Sequence, residues 1–273
     1  MNYWFLPIIG FYIASSAGYG GYLVVQTEGY HRAAYGLMVA GFALHTLLVI
    51  TECALAGSIA VRNLHETLSF AAWALAAVFL ALRFRTRLKI LGLLAAPFIT
   101  LMTVAAFFIP DTAVHSKTSF ANMWVIAHVV VIFIGEAALA LACATGILYL
   151  IQERSIKNKK HRFFFRRLPS LELLDSTGYA FIVTGFTALT VGLITGFVYA
   201  QATWGHFWSW DPKEVWSGIT WLIYAALLHE RLVAGWRGRR AAIFAIIGFV
   251  ALLFTFLGVN LLLEGHHNEF ARW

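Results

Sequence analysis

Charge is what this sequence has least of. Only 12% of its 273 residues are charged, while 60% are hydrophobic and 16% aromatic. Soluble domains run near a quarter charged, so an ordinary water-soluble globular protein is excluded. A disordered chain is excluded too, because this much apolar surface cannot stay solvated. Cysteine is equally scarce. Cys53 and Cys143, both within or at the edge of apolar runs, are the whole complement; they support no disulfide framework and form no C-x-x-C-H motif. No basic region precedes the first apolar run, which is also too long for the apolar core of a signal peptide, so no cleavable leader is expected.

What is present is length of apolar sequence. Eight runs approach the roughly 20 residues that a bilayer-spanning helix needs. They fall at 3–25, 33–56, 67–84, 88–109, 123–151, 178–200, 215–233 and 241–263. The expected fold is therefore all-α, a polytopic membrane bundle of about eight transmembrane helices forming one domain over 1–273. No repeat, low-complexity stretch or appended soluble domain is visible.

The net charge of +7 invites a nucleic-acid reading, which the distribution of the charges rejects. Lys and Arg concentrate at 83–89, at 154–167 and at 231–240, each in a connection between apolar runs. With both termini outside, sixteen of the 20 basic residues fall on the cytoplasmic side. Only Arg62, Lys117, Lys213 and Arg272 remain outside. This is the positive-inside pattern and sets the expected orientation in an inner (plasma) membrane. No nucleic-acid partner is implied. The longest cytoplasmic connection, 153–176, carries three consecutive Phe at 163–165 and reads either as an interfacial segment on lipid headgroups or as a solvated loop.

The densest chemistry lies in the outer connection between the sixth and seventh runs. It reads WGHFWSWDPKEVW over 204–216, four tryptophans in 13 residues. Asp211 can cap the seventh helix, Pro212 suits its first turn, and Glu214 stands where a capping-box carboxylate belongs. Tryptophan is ordinarily enriched at membrane interfaces, so an aromatic belt is one reading. A dense cluster beside a capped helix start suits, alternatively, a flat apolar ligand that must be stacked and shielded from water.

Ten histidines accompany it. Most fall in the expected loops, His31 and His65 among them, where a solvated side chain is the default. His45, His128 and His229 lie within apolar runs, where an ionisable group is a functional hypothesis or a helix-packing hydrogen-bonder. Neutral imidazole is also a common ligand for haem iron. His128 lies about a turn inside the outer end of its run, and His267 just past the outer end of the last, both level with the tryptophan loop. His45 and His229 lie deeper, at unequal depths. Two bis-imidazole sites, one outer and one inner, are thus conceivable.

These residues resemble a known family. The WGHFWSWDPKE stretch is similar to the tryptophan-rich "WWD" signature of haem-handling membrane proteins. WLIYAALLHER at 221–231 and GVNLLLEGHH at 258–267 extend the likeness to the CcsA/ResC family of System II cytochrome c maturation. Upstream, WVIAHV at 124–129 resembles the family's W-L-x-x-H-V element. ALHT at 43–46 and NLHET at 63–67 look like its histidine helix and the outer loop that follows. The likeness is most specific over 120–270, with the WWD loop at 201–215.

By that resemblance His128 and His267 are the outer ligands of haem iron, and His45 and His229 the membrane ligands. Trp204, Trp208, Trp210 and Asp211 belong to the loop that cradles the porphyrin. The implied function is that of a haem lyase (holocytochrome c synthase) subunit. It would carry haem b as cargo to the outer face for thioether attachment to apocytochrome c, and its lack of a C-x-x-C-H motif agrees with delivering haem rather than keeping it. Implied partners are a ResB/CcsB-type membrane protein, apocytochrome c, thiol-reducing proteins and membrane lipid. Where the family has Gly-Leu-His-Ser-Tyr, this chain has Gly265-His266-His267, so His266 competes with His267 as ligand. The short eight-span form also resembles the HemX-like branch, linked to haem biosynthesis. A haem transporter without ligation activity, and a tryptophan loop serving only as an assembly surface, are the other readings.

Overall fold

In the computed structural model the described residues are 3–83, 88–111, 123–158, 163 and 166–263, without the side chains of Arg83, Trp204 and Asn260. All regular structure among them is helical. The order is α1 (Phe5–Val25), α2 (Glu28–Ala56), α3 (Leu64–Arg83), a 3₁₀ turn (Lys89–Leu91), α4 (Gly92–Phe108), α5 (Met123–Lys157), α6 (Leu171–Trp204), α7 (Pro212–Val233) and α8 (Arg239–Leu253). A π-helical turn (Phe254–Gly258) and a short α9 (Val259–Leu262) follow. Seven helices among the described residues are long and apolar enough to cross a bilayer. The eighth expected span, α7, has the length at 22 residues, but Thr220, His229, Glu230 and Arg231 dilute its apolar character. This is a multi-pass helical membrane protein.

The helices pack as two groups. In the first, α1 lies against α2 and α4, and α3 against α4; in the second, α5 lies against α6 and α8, with α7 against α8 and α6. The groups meet where α3 packs on α5, through Phe70–Phe133 ring contact at 5.1 Å; Phe133 also meets Phe256, beyond α8 within the second group, at 5.9 Å. Small residues let α5 and α6 approach closely: a Cβ on Gly135 would lie 3.1 Å from the Leu189 backbone nitrogen. Such contacts substitute for the hydrophobic driving force that lipid does not supply between helices.

Each end of the second group is pinned by polar contacts. At the basic end, Arg231 of α7 makes a two-pronged bond to Asp175 of α6, at 3.0 and 2.7 Å. The Gly238 N–H, just before α8, donates to the same carboxylate at 2.7 Å. One side chain thereby ties three helices together.

The expected spans correspond to helices; α2, α3, α5, α6 and α7 extend beyond them, while α1, α4 and α8 fall short at one end or both. α2 begins at Glu28, α5 runs on to Lys157, and α6 begins at Leu171 behind a Ser170 cap that accepts the Leu173 N–H at 3.3 Å. Much of the expected 153–176 connection is therefore helix, and Phe164 and Phe165 lie outside the described residues. Two histidines expected in solvated loops are buried within helices. His31 lies in α2, ringed by Tyr19 and Tyr22. His65 lies in the first turn of α3 and donates from Nδ1 to the carbonyls of Ala106 (2.7 Å) and Ile109 (3.2 Å) at the end of α4. Both were hidden because the polar residues around them start the helices rather than precede them.

Candidate functional site

The connection between α6 and α7 is built by local rules. Gly205 ends α6 with φ +80°, a left-handed conformation that glycine adopts without the Cβ penalty. Six residues later, the Asp211 carboxylate accepts the Lys213 N–H at 2.9 Å and forms a full capping box with Glu214. The Glu214 Oε2 atom does more than close that box. It accepts the N–H of Ser209 at 2.8 Å and of Asp211 at 3.3 Å, on either side of Trp210.

Trp210 itself has φ +61°, an uncommon conformation for a bulky residue and a local strain of about 1–3 kcal/mol. It is held there by bonds to both its neighbours, and the residue is 78% exposed. Trp208 points the other way. It is half-buried, meets Trp210 edge-on (5.7 Å, 89°), and packs against Phe197 of α6 at 5.8 Å. Its indole N–H and the Ser209 hydroxyl are buried without a hydrogen-bond partner among the described residues. Unpaired buried donors cost about 1–3 kcal/mol each, so two side by side call for an acceptor.

His128 stands level with this loop. It lies in the second turn of α5, half-buried, and donates from Nδ1 to the Gly192 carbonyl of α6 at 2.8 Å, with Thr195 Oγ1 at 3.2 Å. A Cβ on Gly196 would sit 2.9 Å from His128 Cε1, so the absence of a side chain there makes room for the imidazole. Phe197, the next residue along α6, is the one that carries Trp208. Nearby, the Trp124 indole donates to the Thr195 carbonyl at 2.9 Å. His128, Trp208, Trp210 and Asp211 are therefore gathered at one end of the second helical group. Trp204 closes α6 beside them. His266 and His267 lie outside the described residues.

The two deeper histidines are not brought together. His45 is fully buried in the first group, between Tyr12 of α1 (3.2 Å from Nδ1) and Ser69 of α3 (3.0 Å from Nε2). His229 is exposed on α7, two residues from Arg231, on the stripe that also carries exposed Ile219, Leu222 and Val233.

Sequence reasoning passed over Glu136, half-buried near the middle of α5 and within electrostatic reach of Lys213 in the first turn of α7. A lone carboxylate inside the fifth apolar run was the available signal.

Helical membrane topology defines the class, a polytopic membrane protein, with His128, Trp208 and Trp210 gathered at one end of its second helical group. Comparison with known proteins gives the family. Residues 61–267 match the Cytochrome C assembly protein family. The cytochrome c biogenesis protein CcsA of Chlorella vulgaris is 34% identical over 255 residues, 82% of this chain and 81% of that one. CcsA of Parasynechococcus marenigrum (strain WH8102) is 35% identical over 266 residues, 87% of each chain. The chain belongs to the CcsA family of cytochrome c biogenesis membrane proteins. Among solved structures, cytochrome c haem lyase CcmF superposes with a TM-score of 0.63 at 16% identity, over 98% of this chain and 48% of that one. That likeness concerns the fold, and this chain spans about half the length of that neighbour.

Proposed function

We propose that this chain is the haem-handling subunit of a System II cytochrome c synthase. It carries haem b as cargo to the outer face of the inner membrane and presents it to apocytochrome c, beside a ResB/CcsB-type membrane partner. The observation that carries the proposal is the His128–Gly192 bond. A histidine that ligates a metal characteristically gives its other ring N–H to a carbonyl, which fixes the tautomer and the ring plane. With the proton on Nδ1, Nε2 is left as the lone-pair nitrogen.

The rest of the end fits a flat, partly polar ligand. Trp208 and Trp210 offer aromatic surface for stacking, and the unpaired Trp208 N–H and Ser209 hydroxyl offer donors. The capping box holds that surface in place, so little order need be created on binding. His267 is assigned as the second axial ligand, with His266 as its competitor. Haem, when bound, supplies the vinyl groups to which the apocytochrome thiols add. The protein's own part is to orient the macrocycle, exclude water from its face and hold the iron until an acceptor histidine replaces His267.

The proposed orientation puts this end outside, since Arg231, Arg237, Arg239 and Arg240 cluster at the opposite end of α7 and α8. The test is the absorbance spectrum of the purified protein and of its His128→Ala and His267→Ala variants. A Soret band lost in both and restored by added imidazole is expected. Undiminished haem content and an unaltered spectrum in both variants would overturn the assignment.

A further inference from the structure

The two helical groups carry the same fittings in the same order. α2 reads G-F-x-x-x-T-x-x-x-I-T over 41–51, and α6 repeats that pattern over 185–195. Around the start of α3 stand Asn63, Glu66, Ser69 and Trp73; around that of α7, at the same spacing, stand Asp211, Glu214, Ser217 and Trp221. No repeat shows on reading the sequence, because the shared residues are scattered at helical spacing among unlike ones, as is usual for internal repeats of membrane folds. The contacts make it plain. In the first group the Trp73 indole donates to Thr46 Oγ1 at 2.9 Å and stacks on Phe42 at 6.0 Å and 18°. In the second the Trp221 indole donates to Thr190 Oγ1 at 2.9 Å and stacks on Phe186 at 5.4 Å and 30°. Each threonine in turn donates to the carbonyl of the phenylalanine four residues back, both at 2.7 Å. In each group, too, the fourth helix packs on the first and the third.

The copies part company at the outer connection. Asn63 accepts the Glu66 N–H at 2.8 Å and Glu66 accepts the Arg62 N–H at 2.8 Å, the counterpart of the box at Asp211 and Glu214. The first connection is short and folded in, with Ile59, Ala60 and Val61 buried. The second is longer and carries Trp208 and the largely exposed Trp210. The Trp–Thr–Phe bracket is thus common to both ends, and its task is to fix where α3 or α7 starts beside its neighbour.

In the second group that placement has a consequence. Thr190 stands two residues before Gly192, whose carbonyl takes the His128 N–H, and little more than one turn before Thr195. Trp221 stands on the helix that the Asp211–Glu214 box begins. α7 packs more on α8 than on α6, so polar ties hold α6 and α7 in register: Arg231–Asp175 at the basic end and Trp221–Thr190 toward the outer one. We infer that the chain is a tandem pair of one four-helix unit, and that Phe186, Thr190 and Trp221 are the positioning residues of the outer site in the second copy. They set the register between the α6 segment that orients His128 and the capped base that holds Trp208 and Trp210. The inference rests on the reading of that end as a haem site, and it assigns three residues which that reading leaves without a role.

Thr190→Val and Thr46→Val are a matched pair, each exchanging a hydroxyl for a methyl and deleting the same two hydrogen bonds in its own copy. The full-length protein, purified in detergent and loaded with haemin, is followed by its Soret spectrum, by transfer of haem to excess apomyoglobin and by a thermal melt. Both variants should melt lower, because each leaves an indole N–H unpaired. Only Thr190→Val should also release haem faster, about two- to twelvefold for one net hydrogen bond, with a Soret shift as His128 tilts. Thr190→Ser, which keeps the hydroxyl, should behave as the parent. A second matched pair, Trp221→Phe and Trp73→Phe, removes the donor instead and should split in the same way. Faster release in both members of a pair, or in neither, would overturn the positioning role. Melting shifts of opposite sign within a pair would overturn the equivalence of the copies. If His128→Ala leaves retention and spectrum unchanged, the reading of the outer site fails instead.

Discussion

Gly196→Ala puts the smallest perturbation where His128 is most exposed to it. The new methyl would lie 2.9 Å from Cε1 and 3.3 Å from Nδ1 of the imidazole, closer than the ordinary contact distance of about 3.5–4.0 Å. α6 is backbone-locked by its contact with α5, so the ring has to give way, and the Nδ1–Gly192 bond is what it gives up. Three terms set the outcome. Alanine gains about 1 kcal/mol over glycine as a helix former. Overpacking costs about 1–3 kcal/mol, and loss of one net hydrogen bond about 0.5–1.5 kcal/mol. The first offsets part of the other two, so the folded protein loses about 0.5–3.5 kcal/mol, whereas His128 loses its orienting bond outright. Haem retention should fall about two- to twelvefold while the melting temperature in detergent moves only a few degrees. Transfer of haem to apomyoglobin, with a parallel thermal melt, measures both. A variant that melts higher by the full propensity gain and retains haem like the parent would refute the placement of the imidazole over Gly196.

Three further perturbations test the frame around that site. Glu214→Ala removes the acceptor that spans Trp210; with the bonds from Ser209 and Asp211 lost, the left-handed Trp210 should relax, seen as faster amide exchange at 209–213 and a changed tryptophan emission, at a cost of about 1–3 kcal/mol. Trp208→Phe keeps the packing on Phe197 but deletes the unpaired N–H. It should leave the stability of the haem-free protein unchanged or higher and weaken haem retention, and unaltered retention would show that the donor has no ligand. Asp175→Asn breaks the carboxylate held by Arg231 and Gly238 at the basic end. It should cost about 3–5 kcal/mol, because a largely buried guanidinium is left without its counter-ion, and Arg231→Met in the same chain should recover part of that loss in a denaturation series.

What was legible beforehand divides by the range of the interaction. Helices, their number and the capped start of α7 follow from apolar run length and from the spacing of Asp211, Pro212 and Glu214, all properties of neighbouring residues. The histidines show where this stops. His128 stands at the level its distance from the helix end implies, because one helix and a 1.5 Å rise decide it. The surroundings of His45 and His229 depend on which helices pack together, and no periodicity contains that. Tyr12 is 33 residues from His45 and Ser69 is 24, so the network around His45 could not be read from spacing. His31 and His65 were misjudged for a related reason: a polar start to an apolar run looks like a loop until the helix is seen to include it.

The division of the bundle bears on how its two histidine positions can act together. His45 belongs to the first helical group, and His128 with the tryptophan connection belongs to the second. The groups touch through few elements, chiefly α3 on α5, and the joint is aromatic. Phe70 follows Ser69 directly on α3, and it packs on Phe133 of α5, little more than one turn from His128. Phe133 in turn meets Phe256, in the π-helical turn that leads into α9 and on toward His267. The same joint links α3 to the helix that carries His128 and, through Phe133, to the π-turn that follows α8. π-Turns interrupt the regular ladder and recur where a helix must bend or re-aim its end. α3 thus carries, in consecutive residues, the bond to His45 at Ser69 and the joint to α5 at Phe70. That adjacency gives a displacement of α3 a direct mechanical route to the helix that carries His128, without any long relay through the bundle.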